Sequence, residues 1–230
     1  VAETESEMLV FDLGNGAMRG MLRAGIDPLS VDRIFLTHFH PDHTTDIVPL
    51  LFSIKYGAQT PRTHTLSICG PKPFREFWTA ITSAWGEFVV GDYPIELSEL
   101  PRECVSPIDL PGSRLSWAPA EHRPESIAYR LDSESGSLVY TGDTEYAGTV
   151  VALARGAHTL IVECSFPDDS PVPGHLTPAG AARIAREADV ERVVLTHLYP
   201  PVDNAFLPSE VARGFDGEVV VAKDGLKLEL

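Results

Sequence analysis

A short apolar segment that ends on histidine occurs twice, and it constrains the fold of this 230-residue chain more than any other feature. Arg33-Ile-Phe-Leu-Thr-His38-Phe-His-Pro41 and Arg192-Val-Val-Leu-Thr-His197-Leu-Tyr-Pro200 share the pattern R-φ-φ-L-T-H-φ-x-P, where φ is apolar. Each is a brief apolar run closing on a polar turn, which reads as the end of a β-strand. With one copy in each half, the spacing predicts two similar strand–helix halves packed together. No solenoid-type period and no linker interrupts the chain, so a single domain over residues 1–230 is expected.

The remaining elements fit that plan. Strands are predicted at 8–13, 114–118 and 159–162, a hairpin at 126–131 and 138–141, and a closing hairpin at 219–222 and 226–230 around Asp224-Gly225. Helical patterns cover 17–24, 45–56, 73–85, 147–154, 177–188 and 209–215. Pro49 falls in a first turn, and Thr177-Pro178 reads as an N-cap followed by a first-position proline. The class is mixed α/β. Phe74, Phe77, Trp78 and Ile81 recur at helical spacing and predict packing; with Trp85, those aromatics could also supply a homodimer surface.

Composition narrows the partners. Eighteen basic against 33 acidic residues leave a net charge of −15, a field that repels nucleic acid. No apolar run approaches the roughly 18–20 residues of a membrane span. Three scattered cysteines make no disulfide framework, so a reduced, cytoplasmic setting is expected. The chain opens on Val1 with no signal-peptide pattern, and part of the native N-terminus is expected to be missing.

Chemistry is concentrated in Thr37-His38-Phe39-His40-Pro41-Asp42-His43. Three imidazoles and a carboxylate lie within six residues after a strand, where alternate side chains converge on a cation. Four ligands from one turn exceed the needs of one open catalytic ion. They suit two ions if further ligands arrive from elsewhere. His64 and His158 belong to no motif and are read as ordinary packing or surface residues.

This run resembles the metallo-β-lactamase superfamily, and later landmarks fall in that superfamily's order. His122 follows a strand, Asp143 lies in Tyr140-Thr-Gly-Asp-Thr144, and His197 ends the second repeated segment. The resemblance implies a four-layer αββα sandwich of two similar halves and a dinuclear site. One ion takes His38, His40 and His122, the other Asp42, His43 and His197, and Asp143 bridges. Two divalent ions are implied; Zn²⁺ is expected, and Mn²⁺ or Fe²⁺ suits the same ligands. A glycine-containing strand that the family carries ahead of Met8 is expected to be absent.

Ile161-Val-Glu163-Cys-Ser-Phe166 and Gly174-His175-Leu-Thr-Pro178 resemble the paired motifs of the ribonuclease Z-like branch. By that resemblance His175, oriented by Glu163, acts on the leaving group beside a helix start suited to anions, while Asp42 also helps orient the attacking hydroxide. Only 20 residues separate His122 from Asp143, too few for the tRNA-binding arm of ribonuclease Z proper. The expected substrate is therefore a small or cyclic phosphodiester, with no membrane partner and tRNA disfavoured. Alternatives are a ribonuclease Z-type tRNA 3′ endonuclease, an aryl sulfatase, thioesterase or lactonase on the same scaffold, a single-iron sulfur dioxygenase, and a metal-binding protein without turnover.

Overall fold

The computed structural model describes residues 1–202 and 206–230. It is mixed α/β, with two compact units, Val1–Pro101 and Arg102–Leu230, each built on its own sheet. Among the described residues no helix is long and apolar enough to cross a membrane.

The first unit runs β1 (Ala2–Glu3), β2 (Met8–Phe11), α1 (Ala17–Arg23), β3 (Arg33–Phe35), α2 (Pro41–Thr44), α3 (Ile47–Tyr56), β4 (Leu66–Pro71), α4 (Phe74–Ser83) and β5 (Ile95–Leu100). Its strands lie in the order β1-β2-β3-β4-β5, antiparallel between β1 and β2 and parallel thereafter. β4 is buried along its whole length. Burial on both faces is what a central parallel strand shows, and Ser67 is the one hydroxyl within it.

The second unit runs β6 (Ile108–Leu110), β7 (Ser113–Pro119), β8 (Ile127–Ser133), β9 (Gly136–Tyr140), α5 (Gly148–Ala154), β10 (Thr159–Glu163), α6 (Pro178–Ala188), β11 (Arg192–Thr196), α7 (Leu207–Val211) and β12 (Glu218–Val221). The order is β12-β11-β10-β9-β8-β7-β6. β9 to β12 are parallel to one another, and β6 to β9 form an antiparallel meander. The two repeated segments become β3 and β11, each a parallel strand with parallel partners on both sides.

Most expected elements are present, with local differences. β12 pairs in parallel with β11 and no strand follows Gly225, so the closing hairpin does not form. The helix expected at 45–56 forms as α3 from Ile47, and the short α2 before it was not expected; Asp46, between the two, accepts the Met18 amide at 3.0 Å. The last helix starts at Leu207 and ends at Val211, two to four residues ahead of the predicted span. Phe74 is fully buried, and Phe77, Trp78 and Ile81 pack on the first unit's core. Trp85, half exposed, is the one residue of the proposed aromatic dimer surface that stays outside.

Phe39 shows why the histidines alternate. It lies between His38 and His40 and stacks on Phe77, ring centroids 4.6 Å apart, with Phe74 at 6.3 Å. In extended backbone the neighbours of an inward-pointing residue point the other way. Phe39→Ala should destabilise the protein by about 2–3 kcal/mol, since its ring is only partly covered and falls at or below the low end for Phe→Ala. Denaturant unfolding checks this, and a loss below about 0.5 kcal/mol would mean Phe39 does not anchor the turn.

Candidate metal centre

In the first unit the chemistry sits where β2 and β3 end side by side. Asp12 follows β2 and is buried with φ 56°. Its Oδ1 accepts the Thr37 amide at 2.8 Å and its Oδ2 accepts the Thr37 hydroxyl at 2.8 Å. The same Oδ2 lies 2.7 Å from His43 Nδ1. Because the Thr37 proton goes to Asp12, His38 Nδ1 donates to Thr37 Oγ1 at 3.0 Å. One carboxylate thus fixes two imidazoles, His43 directly and His38 through a hydroxyl. Both rings then turn unprotonated Nε2 atoms outward, the form in which imidazole binds metal. The ring centroids of His40 and His43 stand 4.6 and 4.2 Å from that of His38. Asp42 is exposed, with Oδ2 3.7 Å from His43 Nε2.

Close packing holds this turn against the β2 end. The Leu13 amide donates to the His43 carbonyl at 2.7 Å, and the Asp46 amide to the Leu13 carbonyl at 3.0 Å. A Cβ at Gly14 would lie 1.6 Å from the Asp42 carbonyl oxygen, so only glycine fits there.

In the second unit β9, β10 and β11 run parallel and deliver Asp143, Glu163 and His197 at or just beyond their carboxyl ends. That edge of a parallel sheet is where α/β folds gather ligand-binding groups. Glu163 is fully buried. It accepts the Thr144 amide at 2.7 Å, the Leu176 amide at 3.1 Å and the Ser165 hydroxyl at 2.5 Å. Its carboxylate also lies 3.1 and 3.3 Å from His175 Nδ1. Ser165 Oγ also lies 2.8 Å from the His197 carbonyl, and since both oxygens only accept, its one proton goes to one of them and His197 Nδ1 donates to Ser165 Oγ at 2.9 Å.

His122 Nδ1 donates to the Gly174 carbonyl at 2.8 Å. Asp143, 2% exposed, presents one oxygen to each metal-type histidine. Oδ2 is 3.8 Å from His122 Nε2, and Oδ1 is 3.5 Å from His197 Nε2. Asp143, His175 and His197 offer ligand atoms within 4.8 Å of one another. That donor chemistry, carboxylate oxygen with Nε2 atoms whose Nδ1 is engaged elsewhere, fits a divalent ion such as Zn²⁺.

The beta-lactamase superfamily domain matches residues 9–198. The chain belongs to that superfamily. It is 28% identical to ribonuclease Z of Methanothermobacter thermautotrophicus, with 97% of this chain and 88% of that protein aligned. The crystal structure of the metallo-β-lactamase fold protein YhfI from Bacillus subtilis superposes with TM-score 0.85 at 27% identity, covering 99% of this chain and 89% of that one. The human short-form tRNase Z shares the fold, with TM-score 0.77 at 22% identity over 98% of this chain and 89% of its own. The protein is a metallo-hydrolase of the β-lactamase superfamily, and its His/Asp groups are suited to divalent metal.

Within each unit the superfamily member gathers its candidate residues: His38, His40, Asp42 and His43 in the first; His122, Asp143, Glu163, His175 and His197 in the second. His64 and His158 lie elsewhere, paired with Asp32 and Thr159. Three supporting residues were not read from the sequence: Asp12, Thr37 as a relay, and Ser165. Thr37 adjoins a histidine motif and could have been suspected, whereas Asp12 and Ser165 reach their histidines from 31 and 32 positions away and carry no local signal. The α6 start is not an open anion seat, because Asp168 accepts the Ala179 amide at 3.0 Å and Thr177 the Gly180 amide. Cys164 lies between Glu163 and Ser165, but burial, with the Glu163 charge adding, pushes its thiol up to about 12. That burial disfavours the thiolate form.

Gly174 provides the sharpest test of this geometry. Its φ is +88°, and an added Cβ would meet His122 Nδ1 at 2.8 Å. Gly112 also has positive φ, +66°, but faces open space. Gly174→Ala should weaken metal binding about tenfold or more, whereas Gly112→Ala should cost only stability. Metal titration of both variants checks this. Equal metal affinity in the two would show that Gly174 serves only the turn.

Proposed function

We propose that this chain is a phosphodiesterase acting on small or cyclic phosphodiesters, with residues 1–230 forming one catalytic domain. The observation that carries the reading is Glu163 and His175: a fully buried carboxylate against Nδ1 of an imidazole beside Asp143. Following the superfamily's motif order, one ion is assigned to His38, His40 and His122, the other to Asp42, His43 and His197. Asp143 is assigned as the bridge, supported by its separate oxygens facing His122 and His197. Bound there, two divalent ions supply an activated water and a cationic seat for phosphate oxygens.

The protein's own groups account for the rest. His175, with a proton on Nε2, gives it to the leaving oxygen, and Glu163 against Nδ1 stabilises the imidazolium that precedes the transfer. Glu163 keeps its orientation because two backbone amides and Ser165 fix its oxygens. Asp42 is assigned to orient the attacking water, a role supported by its exposure next to His43.

A panel of bis-(p-nitrophenyl) phosphate, an aryl sulfate and a thiolactone, run on protein of measured metal content, tests the class. Diester turnover is expected to dominate; faster sulfate or thiolactone hydrolysis would replace the reading, and bound metal without turnover would favour a non-catalytic role. His175→Ala should lower kcat by roughly 10²–10⁴ on poor leaving groups and much less on p-nitrophenyl esters. Equal losses on both would move His175 from proton donation to charge stabilisation or binding.

The ribonuclease Z reading rests on the 28% identity. Against it, that alignment is 276 positions long for a chain of 230 residues, so it opens gaps here, whereas alignment with YhfI takes 226 positions. Between His122 and Asp143 this chain holds only the β8–β9 hairpin. At −15 overall, precursor tRNA should bind no tighter than about 10⁻⁴ M at physiological salt. A gel shift with micromolar binding and a single cut beside the acceptor stem would restore the endonuclease.

A further inference from the structure

His38, His43, His175 and His197 are held by Asp12 or Glu163, directly or through one hydroxyl, but His122 is bonded to neither. Its Nδ1 donates instead to the Gly174 carbonyl at 2.8 Å, at the end of a stretch, 168–173, that is exposed throughout. A neutral carbonyl fixes a ring only as well as its own backbone is fixed. At φ +88° Gly174 lacks the Cβ that would confine it, so its hydrogen bonds must do so.

Glu145 supplies that restraint. Its Oε1 accepts the Gly174 amide, and its own amide donates to the Glu121 carbonyl at 2.8 Å, one residue before His122. A second pair of bonds reinforces the contact. The Glu121 amide donates to Thr144 Oγ1 at 3.0 Å, and that hydroxyl donates to the Glu145 carbonyl at 2.7 Å. Thr144 in turn gives its amide to the buried Glu163. The result is a closed ring: His122 to Gly174, Gly174 to Glu145, Glu145 to Glu121, and Glu121 through the chain back to His122. The backbone that carries the imidazole and the carbonyl that receives its proton are tied to one residue. The Gly174 amide and carbonyl belong to different peptide groups, so Glu145 acts by fixing conformation and not by polarising that carbonyl.

We propose that Glu145 is a positioning residue for His122, keeping the proton on Nδ1 and leaving Nε2 bare for metal. The inference rests on His122 as a ligand, the assignment made under the phosphodiesterase reading, and adds the residue that prepares it. An exposed carboxylate also attracts a cation by charge alone. Glu145→Gln separates the two effects, because it keeps an acceptor oxygen and loses the charge.

Long-range proton–nitrogen correlation spectra of the metal-free full chain at about pH 8, where imidazole is neutral, read the tautomer directly. Wild type and Glu145→Gln should show His122 protonated on Nδ1, and Glu145→Ala a mixture of both tautomers. Zn²⁺ titration should find the ion assigned to His122 bound about tenfold or more weakly in Glu145→Ala, and within about threefold of wild type in Glu145→Gln. The same His122 tautomer in wild type and Glu145→Ala overturns the inference, whatever the affinities. So does a Glu145→Gln variant that behaves like Glu145→Ala, since only charge would then be acting. A His122 Nε2 resonance that Zn²⁺ leaves unmoved in wild type would remove His122 from the ligand set. The tautomer comparison, made without metal, still decides the role of Glu145 in that case.

Discussion

Two buried carboxylates set the geometry on which the chemistry depends. Asp12 and Glu163 each hold one imidazole directly and a second through a hydroxyl: His43 and Thr37–His38 for one, His175 and Ser165–His197 for the other. A lone buried anion is costly, so each must be surrounded by donors. Those donors include the groups whose tautomers matter. The requirement to satisfy the carboxylate and the requirement to present Nε2 outward are met by the same few hydrogen bonds.

The hydroxyls determine the direction of these chains. Thr37 and Ser165 have one proton each, and each faces an oxygen that can only accept it: Asp12 for Thr37, and Glu163 or the His197 carbonyl for Ser165. The attached histidine must then donate rather than accept at Nδ1. A serine or threonine is therefore a one-way element here, and alanine at either position would free a ring to choose the other tautomer. The units reach the same solution with different residues, at the ends of the strands that carry the repeated segment.

Much of this was readable in the chain because strands and metal motifs are local. The His38 to His43 run, the strand ends before His197 and Glu163, Pro49 and Thr177 each depend on neighbours within a few positions. What was missed depends on distance. Asp12 meets Thr37 across 25 positions, and no pattern at 12 announces it. Asp168 reaches Ala179 across a loop and takes the helix start that sequence had reserved for substrate. The closing strand pair is absent although Asp224-Gly225 is a good hairpin turn: β12 pairs in parallel with β11, and no strand follows Gly225. Glu163 could be read as a solvated strand end until its burial was seen.

The loop between Phe166 and His175 is pinned at both ends and open between them. Asp168 ties its start to α6, while Gly174 donates its amide to Glu145 and lends its carbonyl to His122. Residues 168–173 are exposed throughout. Within it the Val172 carbonyl accepts the His175 amide at 3.2 Å, so the loop also holds one of the site's histidines from its open side. A change of length at 169–173 is therefore felt at His175, whereas a length-conserving replacement of the exposed side chains at 169–171 leaves that bond in place.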